Sequence, residues 1–94
     1  VIAHEIKWSH YAEDDLLNLI TYIAKDNPDA AQNLKNQLES KCERLQRFPM
    51  SGRPGRVEGT YELIINPNYV LIYIIKSAEI RVLRILHTAQ NWPP

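Results

Sequence analysis

The side chains best suited to chemistry gather in the second half of the 94-residue chain. His87 stands near the end of an apolar run, where an imidazole titrating near neutrality can take or give a proton. Arg53, Arg56 and Arg84 carry the planar fork that holds a phosphate or carboxylate bidentately. Tyr61, Tyr69, Tyr73 and Trp92 offer flat faces on which bases can stack. Together they point to general acid–base chemistry on a polyanion, with His87 and Arg84 as the catalytic pair if the protein is a nuclease. Each has a plainer role as well. His87 can simply hydrogen-bond at a strand end, and Arg53 and Arg56 can brace their own loop.

Other chemistries lack their residues. His4, His10, His87 and the single Cys42 have no metal-ligand spacing, and neither Cys-x-x-Cys nor His-Glu-x-x-His occurs. The stretch Gly52–Gly59 lacks the Lys-Ser/Thr ending of a phosphate loop, and no serine sits in a nucleophile elbow. No metal and no cofactor are expected.

Composition narrows the class further. Hydrophobic residues at 45% and charged residues at 23% exclude a disordered chain and suit one small domain spanning residues 1–94. The longest apolar run, Tyr69 to Ile75, falls far short of the ~20 residues that span a bilayer, and no export signal is visible. The expectation is a cytoplasmic protein that needs no disulfide. A net charge of zero conceals an asymmetry: residues 1–43 carry four Lys against eight Asp/Glu, whereas residues 44–94 carry seven Lys/Arg, six of them Arg, against three Glu. That basic half suits a polyanion or an acidic protein segment.

Hydrophobic periodicity supplies the elements that position these residues. Ile2, His4, Ile6 and Trp8 alternate with Ala3, Glu5 and Lys7, the pattern of a half-buried strand. Ser9 can cap a helix running to about Lys25, and Asn27-Pro28 ends it and starts another. Ala31, Leu34, Leu38, Cys42, Leu45 and Phe48 then form one stripe of a helix ending near Phe48-Pro49, with Cys42 as a packing thiol. A basic loop, Ser51–Gly59, precedes strands at 60–66, 69–76 and 79–87, joined by hairpin turns. An α+β fold is predicted: an N-terminal strand, an antiparallel helix pair and a three-stranded antiparallel meander, with the helices on one face of the sheet.

A two-residue turn at Pro67-Asn68 and a two- or four-residue turn near Ser77-Ala78 predict which residues share a face. Asn66 opposes Tyr69, Ile64 opposes Leu71, and Glu62 opposes Tyr73; Leu71 in turn opposes Arg84, and Tyr73 opposes Val82. Tyr61, Leu63, Ile65, Val70, Ile72, Ile74, Leu83 and Ile85 then face the helices. Glu62, Ile64, Asn66, Tyr69, Leu71, Tyr73, Val82, Arg84 and Leu86 form the other face, which is too apolar for plain solvent exposure. The tail with Trp92, a second chain or a ligand should complete it.

Three stretches carry a family resemblance. They are Ser51-Gly52-Arg53-Pro54-Gly55-Arg56-Val57-Glu58-Gly59-Thr60-Tyr61-Glu62-Leu63-Ile64, then Asn66-Pro67-Asn68-Tyr69-Val70-Leu71-Ile72-Tyr73, and finally Leu83-Arg84-Ile85-Leu86-His87-Thr88-Ala89-Gln90-Asn91-Trp92-Pro93. With the Trp8 opening and the Asn-Pro-x-Ala-Ala start of the second helix, the chain resembles the RelE/ParE superfamily of bacterial toxins. The resemblance implies a type II toxin silenced by a co-encoded antitoxin, as a hetero-oligomer with it or as a homo-oligomer. It leaves two mechanisms: poisoning of DNA gyrase, as in ParE-like members, or ribosome-dependent mRNA cleavage, as in RelE-like members. A third outcome is an inert module that keeps only the toxin fold.

Cleavage by the 2′-hydroxyl needs several cations around a phosphorane, yet 60–66 and 88–94 contain no Lys or Arg. The wording Arg-Pro-Gly-Arg and His-x-x-x-x-Trp-Pro is closer to the ParE side. Relatives commonly read Gly-Thr-Arg-Glu-Leu where this chain has Tyr61. Target or antitoxin binding is expected from Arg53, Arg56, Tyr61, Glu62, Tyr69, Leu71, Tyr73, Arg84 and Trp92.

Overall fold

Two capping residues divide the first half of the chain into strand, helix and helix. The computed structural model describes residues 3–93, so Ile2 of the predicted first strand and Pro94 of the tail lie outside the described residues. Strand β1 (Glu5–Trp8) alternates exposed and half-buried residues. Ser9 follows it and caps α1 (His10–Asp26): its Oγ accepts from the Ala12 amide at 3.0 Å and donates to the Leu83 carbonyl at 2.8 Å. One side chain thus starts the helix and ties it to the sheet.

Asn27 closes α1 through its amide, bonded to the Ile23 carbonyl at 2.9 Å. It also opens α2 (Pro28–Arg47), its Oδ1 accepting from the Ala30 amide at 3.0 Å. Pro28 occupies the first turn, where a missing N–H costs nothing. Ala31, Leu34, Leu38 and Leu45 are buried along one stripe of α2. Cys42 packs on the same core, and burial pushes its thiol up to about 11, the state of a packing group rather than a nucleophile. No helix among the described residues is long and apolar enough to cross a membrane.

After a 3-10 turn at Pro49–Ser51 come β2 (Arg53–Pro54), β3 (Tyr61–Asn66), β4 (Tyr69–Lys76) and β5 (Glu79–His87). They form one five-stranded sheet in the order β1-β5-β4-β3-β2, with β1 parallel to β5 and the other pairs antiparallel. The predicted meander is present with the helices packed on it. Part of the expected basic loop is in fact the short edge strand β2.

Two bulges change the faces. Asn66 does oppose Tyr69, but Ile65 is an extra residue on β3, so Ile64 opposes Val70 and Glu62 opposes Ile72. Likewise Leu83 is extra on β5: Leu71 opposes Ile85 and Ile72 opposes Arg84, while Tyr73 meets Val82 as expected. Each bulge reverses the side-chain alternation beyond it. Tyr69, Leu71, Tyr73 and Val82 therefore join the helix-covered core, and Val70, Ile72 and Leu83 leave it. Leu71 and Tyr73, expected on an open binding face, are each 0% exposed. On the opposite face Val70, Ile72 and Leu86 are buried beneath Leu83 and Trp92. The chain's own tail completes that cluster, so the face does not stand open.

Tyr73 is the largest fully buried side chain, and its hydroxyl is satisfied within the fold. It donates to the Pro49 carbonyl at 2.7 Å and accepts from the Gly52 amide at 3.0 Å, locking the turn after α2 to the centre of the sheet. Only glycine fits at position 52, since a Cβ there would lie 2.5 Å from the Tyr73 Oη and 2.9 Å from the Glu62 carbonyl oxygen. Tyr73→Phe removes one hydroxyl and strands two backbone partners, so a loss of about 1–3 kcal/mol is expected. Urea unfolding should show a lower midpoint with an unchanged slope. An unaltered midpoint would mean that the turn does not depend on this hydroxyl.

Candidate functional site

Glu62 is the only charged residue in the buried core described here, and its position follows from β3: it lies on the face away from the helices, one strand in from the sheet edge. Its carboxylate is saturated by the basic loop. Oε1 accepts from Arg53 Nη2 at 3.0 Å and Nε at 3.3 Å; Oε2 accepts from the Arg56 amide at 3.2 Å, with Arg56 Nε at 3.5 Å. Arg56 Nη1 in turn donates to the Gln90 carbonyl at 3.2 Å, joining the loop to the tail that carries Trp92. Both arginines therefore brace the loop, the plainer of the two roles open to them in the sequence.

The loop's own turn closes through the Gly55 amide on the Thr60 carbonyl at 2.7 Å and Thr60 Oγ1 on the Val57 carbonyl at 2.6 Å. Tyr61 stacks on Tyr73 with ring centroids 5.4 Å apart, so its ring packs on the core.

Arg84 is held from the other side. Asp15 of α1 grips it bidentately, Nε to Oδ2 at 2.7 Å and Nη2 to Oδ1 at 2.9 Å, and Oδ2 also accepts from the Ile85 amide at 3.0 Å. β1 pairs with β5 only as far as Val82, so the Asp15 carboxylate covers a sheet edge that no strand reaches. The hydrogen bond to Asp15 raises the already high pKa of the guanidinium. The Tyr11 and Trp92 rings each lie 6.0 Å from its Cζ. In the sequence, Asp15 is marked only as one of three consecutive acidic residues, Glu13 to Asp15, near the start of α1. Its role follows from the parallel pairing of β1 with β5, which sets α1 beside the far half of β5.

His87 lies exposed at the end of β5. Its Nδ1 accepts from the Ala89 amide at 3.1 Å, its backbone amide donates to Gln90 Oε1 at 2.8 Å, and its ring meets Tyr69 edge-to-face at 5.5 Å. An open cleft of about 340 Å³ runs beside it, lined by Asp15, Asn18, Tyr22, Tyr69 and Gln90 among others. No Lys or Arg lines this cleft among the described residues. The predicted site residues thus fall into four groups. Arg53, Arg56 and Glu62 meet in one network, Tyr69 and His87 in the cleft, and Leu71 and Tyr73 in the core. Arg84 and Trp92 form the fourth, the indole ring 6.0 Å from the guanidinium Cζ.

Glu62→Gln removes the charge that holds Arg53 and Arg56. Both arginines are exposed enough to rehydrate, so the expected cost is about 1–3 kcal/mol, below that of stranding a buried charge. Limited proteolysis should then cut within 52–59 sooner than in the parent protein. Equal resistance would show that the carboxylate does not order the loop.

The comparisons agree with this architecture. Residues 6–92 match the family model described as the ParE toxin of the type II toxin–antitoxin system parDE. The putative toxin Y4kP of Sinorhizobium fredii is 36% identical over 89 residues, covering 94% of this chain and 92% of the relative. Toxin RelE2 of Caulobacter vibrioides is 29% identical over 86 residues, covering 92% and 97%. Among solved structures, the chromosomal ParDE toxin–antitoxin system of P. aeruginosa shares the fold with a TM-score of 0.79 at 23% identity, over 93% of this chain and 98% of that one. The toxin–antitoxin complex RelBE2 of Mycobacterium tuberculosis does so with a TM-score of 0.65 at 23% identity, over 92% and 99%. The chain belongs to the ParE toxin family of type II toxin–antitoxin systems.

Proposed function

We propose that this toxin arrests growth by poisoning DNA gyrase and is neutralised in the cytoplasm by a cognate antitoxin. The observation that carries the choice of target is the cleft at His87, which no cation lines among the described residues. Cutting RNA through the 2′-hydroxyl builds a dianionic phosphorane, and donors aimed at that charge supply much of the rate. Arg84 is committed to Asp15, and Arg53 and Arg56 to Glu62, so none of the three converges on the imidazole. A lone histidine without such donors is a poor ribonuclease site. Family membership supports the same branch. An antitoxin partner is supported by the toxin–antitoxin complexes whose fold this chain shares.

Two assays run together test the target. On induction, the toxin should inhibit supercoiling and trap gyrase–DNA breaks, while mRNA 5′ ends remain as in uninduced cells. His87→Ala should keep full toxicity, because the imidazole performs no proton transfer in this reading. New mRNA ends on induction, together with loss of toxicity in a folded His87→Ala variant, would establish mRNA cleavage instead.

A further inference from the structure

Besides the outer side of the two-residue β2, the sheet has three stretches of edge, and two of them are closed. Along β1, Lys7 pairs with Glu79 at 3.5 Å and with Glu5 at 4.0 Å, a charged rim that discourages strand addition. Along the far half of β5, the Asp15 carboxylate takes the Ile85 amide. The third stretch is the end of β3. β2 pairs only with Tyr61 and Glu62, so no strand faces 63–66.

Backbone direction there can be followed from the loop. The Thr60 carbonyl accepts from Gly55 across this edge, and the Glu62 carbonyl faces Gly52. With a two-residue period, the amide and carbonyl of Ile64 point the same way, into the space where β2 has ended. The Ile64 side chain is 38% exposed.

A groove of about 340 Å³ follows this edge, walled by Lys41 and Arg44 of α2 on one side and by Arg53 and Ile64 on the other. Its one carboxylate, Glu62, is buried and already occupied by Arg53 and Arg56. Lys41 and Arg44 form no ion pair among the described residues. The groove is therefore cationic and uncompensated on the helix side, apolar at Ile64, and edged by unpaired backbone.

We infer that this groove receives an extended acidic–apolar segment of the antitoxin, which adds as a strand along β3 beyond the end of β2. The inference rests on the toxin–antitoxin reading and assigns that partner's segment and seat. Alternation decides its chemistry. Side chains on the helix face of the added strand meet Lys41 and Arg44 and should be Asp or Glu. Those on the other face meet Ile64 and should be apolar.

The probe is a fluorescein-labelled octapeptide alternating Glu and Val, with a Lys/Val octapeptide as its charge-reversed control. Binding of the Glu/Val peptide to the whole toxin should slow hydrogen exchange at the Ile64 amide. It should weaken roughly tenfold or more in Lys41→Glu/Arg44→Glu, and weaken with added salt. Both positions are exposed, and circular dichroism checks that the variant is folded. Equal binding of the Lys/Val peptide, unchanged binding in the double variant, or no binding of the Glu/Val peptide would overturn the inference.

A second arm uses the protein encoded by the adjacent reading frame. If it silences the parent toxin and the double variant equally well, the groove is not its seat, although the toxin–antitoxin reading stands. If it silences neither while the octapeptide behaves as expected, the toxin–antitoxin reading falls and the ligand chemistry of the groove is supported.

Discussion

A single buried carboxylate governs how the second half of this molecule is arranged. Glu62 sits in a part of the sheet where an unpaired charge would be costly, and β2 and the loop after it supply the donors that make it tolerable. In satisfying Glu62, Arg53 and Arg56 are held in place at the surface, and Arg56 reaches on to the tail at Gln90. The tail then sets Trp92 over Val70, Ile72 and Leu86. The loop is therefore ordered by charge neutralisation, and the apolar cover beyond it follows from that order.

The same economy of charge underlies the proposed choice of gyrase over RNA cleavage. Three of its arginines look like phosphate ligands when read from the sequence, and each spends its guanidinium within the chain: Arg53 and Arg84 on carboxylates, Arg56 on Glu62 and the Gln90 carbonyl. A histidine at a strand end remains, beside two phenols and an aspartate, in a cleft with no lining cation. Cations without carboxylate partners lie elsewhere, on α2 beside the open end of β3. Binding and chemistry thus have different addresses, and an encounter with an acidic protein segment suits the first better than turnover suits the second.

The sheet edges show how strand pairing is limited by different means. Short β2, the Lys7 ion pairs and the Asp15 side chain each stop the sheet from growing at one place. Asp15 does so from a helix, which requires α1 to leave β1 at Ser9 and lie beside β5. Ser9 makes that path firm by capping α1 while bonding to the Leu83 carbonyl.

Local signals in the chain were enough for both helices and for every strand but the short β2, in their order along the chain. Ser9, Asn27-Pro28, the α2 stripe and the two hairpin turns act within a few residues, so their physics is present in the sequence itself. The family likeness was also legible, because its motifs are contiguous words. The faces of the sheet were not. A bulge at Ile65 and another at Leu83 leave no mark on a simple alternation, and each one exchanges inward for outward along the strand beyond it. Leu71 and Tyr73 went to the core for that reason. Nor could the chain's order show that Arg84 meets a carboxylate 69 residues away, since that contact exists only once β1 lies parallel to β5. The sequence by itself determined the elements and the kind of protein. Tertiary packing decided which side chains remain free to act, because charge partners and bulges are settled between strands rather than along them.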